Sequence, residues 1–371
     1  MLREEVIKEF EKAKTLVLKI GSAVITKDDE GLNYQILSHI AYEVQRFYRS
    51  GKKVLLVSSG AIACGRAKLK IYKKPLSLNE KQALAACGQA DLIHAYEEVF
   101  SQYGLKVAQI LLTSEDLSLR QRYLNAKKTM QTLLNWGIVP IINENDTVST
   151  EEIRFSDNDI LSGLVALALP VEALIILSDI DSLYKEDPRV NPKAERVAYV
   201  EEITPEIMKM AGCKPGKLGR GGMYSKLLTA QMVTSAGIPM AILPGRTPLV
   251  LEKFFSYEDI GTVFAPKKRT LSMRKLWIKY YLKPEGRLYL DEGAVKALCL
   301  AGKSLLIGGI KRVEGDFGKG ACVECIGENE KAVAKGLTNY SSHELKKFLE
   351  DSSKPEKEII HRDNLVILDQ V

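Results

Sequence analysis

Residues 143–159 read NENDTVSTEEIRFSDND and put six carboxylates and three asparagines into a chain whose formal net charge is +6. Three kinds of chemistry call for such a cluster: a metal cage, a solvated surface hairpin, or a cradle for a charged small molecule. Other groups along the chain carry the opposite sign. Lys19 precedes Gly21 and Ser22 in LKIGSAVIT. An ammonium beside backbone N–H groups that glycine leaves open can hold a phosphate, although a lysine on an edge strand is the plain alternative. In VSSGAIACGR, Ser58, Ser59 and Gly60 precede a helix-like run, so hydroxyls and N–H groups converge at a positive helix end, with a simple Ser59 N-cap as the bland reading. In KLGRGGMYSKLLTAQMV three glycines lead into a helix carrying Lys226 near its start, again suited to a polyphosphate. Ser178 and Asp179 in LSDIDSLY are placed to touch a nucleotide, or acids there a divalent cation. The nearby GCKPGK is not a Walker A loop, having one residue too few between its glycines and Leu218 after Lys217.

Two lysines, two anion loops and an acid-amide cluster are the parts that phosphoryl transfer needs, because its catalysis is positioning and charge neutralisation. A dinucleotide-binding dehydrogenase competes poorly without a GxGxxG after a strand. Within the acidic stretch, TVSTEEIRF alternates as a hairpin does, and Glu144, Glu151 and Glu152 are expected to point largely into solvent.

These groups need elements that deliver them to one edge. Apolar, β-branched runs at residues 15–20, 53–58, 107–113, 137–143, 173–179 and 239–244 alternate with helix-like segments near 33–50, 79–103, 115–135, 157–168 and 224–236. That alternation indicates an αβα sandwich around a largely parallel sheet, whose ligands sit beyond the carboxyl ends of the strands. After residue 265 the pattern changes. Residues 267–283 carry seven basic side chains and no acid, and Gly-rich turns then separate short strands, which predicts a small, mostly β module. The reading is a catalytic domain at 1–265, a basic linker at 266–274 and a second domain at 275–371.

A hydrophobic fraction of 46% and a charged fraction of 27% fit an ordinary folded chain. No apolar run reaches the roughly 20 residues that span a bilayer, and the start reads as an amphipathic helix; the expected location is cytoplasmic. Six scattered cysteines are no disulfide framework, and the lone CxxC at Cys322 and Cys325 lies in a run that alternates as a strand does. The last 105 residues hold 20 Lys plus Arg against 15 Asp plus Glu, so +5 of the +6 lies there.

KIGSAV, SSGAIACGR, INENDTV, SDNDILSGLVA, LSDIDSLY and GRGGMYSK together resemble the amino acid kinase family, in its order and spacing. LYLDEGAVKAL, KSLLIGGIKRVEGDFGKG and VAKGLTNYSS resemble a PUA domain, an RNA-binding fold. The resemblance implies phosphorylation of the L-glutamate side-chain carboxylate by ATP with Mg²⁺, the first step of proline synthesis. It implies that Lys19 contacts phosphate at the transfer site, that Lys226 holds the ATP phosphates and the leaving oxygen, and that Asp157 orients both lysines. Ser59, Gly60, Asp146 and Asn158 would bind glutamate, with Asp146 suited to its ammonium. Lys19, Gly21, Ser178, Asp179, Arg220, Gly221, Gly222, Met223, Tyr224, Ser225 and Lys226 would bind the nucleotide, Arg220 and Tyr224 standing where the family commonly has Thr and a smaller residue. The ligands of the metal are not assigned. The resemblance also implies proline as a feedback inhibitor and a homo-oligomer, and the lability of an acyl phosphate suggests a reductase partner. Alternatives are a kinase for another acid, such as carbamate, aspartate or acetylglutamate, and an RNA-binding protein acting through the C-terminal module. A solvated basic linker is the blander reading of residues 267–283.

Overall fold

The computed structural model describes residues 1–371 apart from 28–30, 73–74, 114–115, 118–119, 149–157, 212–221, 269–271, 281, 283, 352–354 and 369–371. The chain divides into two compact units, Met1–Arg269 and Thr270–Val371.

The first unit is built on an eight-stranded sheet. Its strands are β1 (Thr15–Ile20), β2 (Lys53–Ser58), β3 (Lys106–Leu112), β4 (Ile138–Glu144), β5 (Ala173–Ser178), β6 (Tyr199–Val200), β7 (Met240–Pro244) and β8 (Thr262–Phe264), in the order β6-β8-β7-β5-β1-β2-β4-β3. Every neighbouring pair is parallel except β7 with β8. The chain leaves β1 toward β2 on one side and later returns to β5 on the other, so the order reverses at β1. A crevice outside the carboxyl ends of β1 and β5 follows from that reversal.

All six residues of β1 are buried. Leu16, Leu18 and Ile20 join one core cluster with Val6, Ile7 and Phe10 of helix α1 (Arg3–Lys12). Because strand side chains alternate, the same register sends Lys19 to the opposite face. The other helices that matter here are α2 (Tyr34–Arg49), α3 (Ala61–Leu69), α4 (Leu78–Ser101), α5 (Arg120–Asn135), α6 (Asn158–Ala168) and α7 (Met223–Ser235). Helix α6 packs on β1, β5 and α7. Helices α3 and α4 approach so closely that a Cβ on Gly88 would lie 2.0 Å from the Ala61 carbonyl oxygen, and one on Gly65 would lie 2.0 Å from that of Leu84. Backbone cannot step aside, so only glycine permits this crossing.

In the second unit a five-stranded sheet has the order β10-β9-β11-β12-β13, from β9 (Gly286–Leu290), β10 (Ile310–Gly315), β11 (Cys322–Ile326), β12 (Ala332–Leu337) and β13 (Leu365–Ile367). The basic segment is more than a linker: from Met273 to Tyr280 it forms a helix that packs on β12 and β13, with Ile278 fully buried against Cys322 and Val366. Cys325 belongs to a different apolar cluster, with Leu288 and Val323. The two thiols of the CxxC therefore lie in separate clusters, and burial pushes each up to about 12, which leaves them as packing groups.

Candidate active site

Strand β1 presents Lys19, its fifth residue, and helix α7 presents Lys226, its fourth. Both meet the carboxylate of Asp159 in the first turn of α6: Lys19 Nζ lies 2.5 Å from Oδ1 and Lys226 Nζ 2.9 Å from Oδ2. Asp159 is fully buried, and the lysines are only 4% and 5% exposed. Ion pairs this deep pay for desolvation and persist only with close geometry. Ser225 adds a hydroxyl 3.1 Å from Asp159 Oδ2 and 3.0 Å from the Gly222 carbonyl oxygen. Two ammonium groups and one carboxylate sum to a formal +1 at the carboxyl end of the central strand, the sign that suits an arriving phosphoryl group.

Gly222 opens α7 at φ +99 and ψ −163, a backbone conformation essentially confined to glycine. Gly21 follows β1, its N–H donates to the Leu177 carbonyl at 3.0 Å, and a Cβ there would lie 4.0 Å from Lys19 Nζ. The Gly21 N–H is thus already bonded, and what the glycine contributes is the absence of a side chain beside Lys19 Nζ.

A second network runs through amides. Asn158, next to Asp159, turns its Nδ2 toward the Ser58 carbonyl at 3.2 Å, Ser59 Oγ at 2.8 Å and Asn143 Oδ1 at 3.0 Å. Asn143 in turn donates to Gln89 Oε1 of α4 at 2.8 Å and accepts from the Glu144 N–H at 2.9 Å. Ser58 is held from behind by Tyr96, whose hydroxyl is 2.8 Å from Ser58 Oγ. Burial pushes the Tyr96 phenol well above its usual range, so it stays protonated.

The structure thus gathers Lys19, Gly21, Gly222, Ser225 and Lys226 around Asp159, and Ser59 and Asn158 around Asn143. Gly60 starts α3 at φ +115, and Asp146 follows β4, partly exposed. Ser178 is buried at the end of β5, with the Ile180 N–H donating to its Oγ at 3.2 Å, while Asp179 is exposed. Met223 and Tyr224 fill the first turn of α7, half-buried. Asp157, Arg220, Gly221 and most of the hairpin expected within residues 147–155 lie outside the described residues. The side chain between the two lysines is Asp159, two places beyond the residue given that role by the sequence reading. Glu144, expected in solvent, is buried, because β4 runs one residue further than its apolar run and ties the Glu144 N–H to Asn143. Gln89 and Asn143 were not singled out at all.

Residues 14–244 match the amino acid kinase family. The chain belongs to that family. In this amino acid kinase, residues 286–360 further match the PUA domain. Three similar proteins are each named glutamate 5-kinase. The one from Geobacter sulfurreducens is 46% identical, covering 96% of this chain and 98% of that protein. That of Geobacter metallireducens is 45% identical over 97% and 99%, and that of a Thermoanaerobacter species 44% over 96% and 98%. The match of this amino acid kinase to its relatives therefore takes in both units.

Proposed function

We propose that this amino acid kinase transfers the γ-phosphoryl group of ATP to the side-chain carboxylate of L-glutamate, giving L-glutamyl 5-phosphate in the first step of proline biosynthesis. The observation that carries phosphoryl transfer is the buried bridge from Lys19 through Asp159 to Lys226. Near-full-length likeness to proteins named glutamate 5-kinase selects the acceptor and disfavours carbamate and a purely RNA-binding role.

In this reading a glutamate carboxylate oxygen attacks the γ-phosphorus, the bond to the β-phosphate oxygen breaks, and ADP leaves with the electron pair. No proton has to move, because a carboxylate is already ionised at pH 7. What needs help is bringing one anion onto another. Lys19, beside the glycine backbone at Gly21, neutralises the transferring group. Lys226, at the helix opened by Gly222, takes the leaving side, and Asp159 keeps the two ammonium groups apart and aimed. Ser59, Gly60, Asn158 and Asp146 hold the amino acid, Asp146 through its ammonium. Ser178, Asp179 and the start of α7 face the nucleotide.

Mg²⁺ is expected to accompany ATP. Among the described residues no three His, Cys, Asp or Glu side chains are arranged to hold a metal ion, and each Asp159 oxygen faces an ammonium. Asp159, with both oxygens facing ammonium groups, does not fit the role of a cation ligand. Among the described residues no helix is long and apolar enough to cross a membrane. A homo-oligomer, proline as inhibitor and a reductase that consumes the labile acyl phosphate belong to the same proposal.

The test is an ATP-dependent assay that traps acyl phosphate with hydroxylamine, offering L-glutamate, L-aspartate, N-acetylglutamate and carbamate in parallel. Trapped product from glutamate alone is expected. Product from another acid only would overturn the substrate, and none from any acid would overturn the activity.

A further inference from the structure

We propose that Gln89 is a positioning residue that, by receiving the Asn143 NH₂, steadies the amide polarity with which the site meets the substrate's α-ammonium; this rests on reading the site as one for glutamate. The argument starts from which groups can only donate and which can only accept. Ser58 presents a main-chain carbonyl to Asn158, so the side of Asn158 facing it, at 3.2 Å, is the NH₂ side. Asn143 Oδ1 accepts from the Glu144 main-chain N–H at 2.9 Å, so it is the oxygen of Asn143 that meets the Asn158 NH₂ at 3.0 Å. The NH₂ of Asn143 must then point the other way, and there Gln89 Oε1 receives it at 2.8 Å. Among the described residues, Gln89 is the side-chain acceptor for that NH₂.

This chain of three amides has a consequence at its inner end. With its two N–H groups shared among three acceptors, Asn158 turns Oδ1 away from them, and that oxygen is buried without a hydrogen-bond partner among the described residues. A buried acceptor left unmade is costly and asks for a donor. The amino acid substrate brings an ammonium. Gly88, the neighbour of Gln89, lets α4 approach the start of α3 within backbone distance, which is how a residue in the middle of a long helix reaches a strand exit.

The test compares Gln89→Leu, which removes the acceptor, with Gln89→Glu, which keeps one. Each is assayed with L-glutamate and with glutarate, the same diacid without the ammonium. Gln89→Leu should raise KM for glutamate roughly tenfold with KM for ATP unchanged, in line with one lost buried hydrogen bond. The preference for glutamate over glutarate should fall by a similar factor. Gln89→Glu should stay within about threefold of the parent protein on both measures. If Gln89→Leu does not fold, Gln89→Met carries the same comparison. An unchanged preference for glutamate over glutarate, or a Gln89→Glu variant as impaired as Gln89→Leu, overturns the proposal. Absence of product from glutamate with the unaltered protein would instead overturn the activity itself, so the two failures are distinguishable.

Discussion

Lys19 and Lys226 come from a central strand and from a helix far along the chain, yet they bind opposite oxygens of the same buried carboxylate. The spacing of the two ammonium groups is therefore set by the width of one carboxylate. Removing that carboxylate should affect turnover and stability together.

Asp159→Asn keeps the shape and removes the charge. Turnover should drop by about 10²-fold or more if the lysines act on the transition state. Stability should drop by roughly 3 kcal/mol, because two ammonium groups are left buried without their counter-charge. Initial rates and urea unfolding check this, and turnover within threefold of the parent protein would refute the assignment of Asp159.

The two ends of the site should fail differently. Lys226→Ala is expected to lower kcat by roughly 10²-fold or more. Asp146→Ala should instead raise KM for glutamate far more than KM for ATP. An unchanged kcat in Lys226→Ala, or equal changes of the two KM values in Asp146→Ala, would count against the roles given to them.

A pH effect on stability should come from Glu43 of α2. Burial pushes this carboxyl from 4.5 up to about 7, although the main-chain N–H groups of Leu251 and Glu252 donate to it at 2.7 and 3.0 Å and favour the ionised form. The native state thus keeps a proton that the unfolded chain releases between those values. Its contribution to stability is fully present below about 4.5 and is lost as pH rises through about 7. Urea midpoints of the parent protein relative to Glu43→Gln should accordingly decline from pH 5 to pH 8. A gap independent of pH would show that Glu43 is already ionised in the folded state.

How much of this was legible in the sequence follows from the length of each signal. Strands β1 and β2 fall on their apolar runs residue for residue, since six consecutive buried positions in β1 and five in β2 leave a long hydrophobic mark. Strands β6 and β8, of two and three residues, are too short to leave one, and the antiparallel pairing of β8 was not anticipated. The lysines and glycines were readable because each stands at a strand exit or a helix start. Asp159 was not, because choosing between the two acids of SDND requires the point at which α6 begins and the face that it turns to β1. A helical period counted from Asn158 places Asp159 and Ser162 on one inward face, which would have favoured it. Gln89 left no local mark, since its partner Asn143 is 54 positions away.

The register of β1 has one more consequence. Thr15–Ile20 lies between β2 and β5 with Lys19 beside Val57 on one side and Ile176 on the other. A slip of one residue would exchange the two faces of the strand, driving the ammonium into the cluster that holds Leu18 and Ile20. The register that packs the core is thus the one that seats Lys19. Regained turnover after refolding from denaturant therefore serves as a reporter of correct strand pairing, one that compactness or helix content alone does not provide.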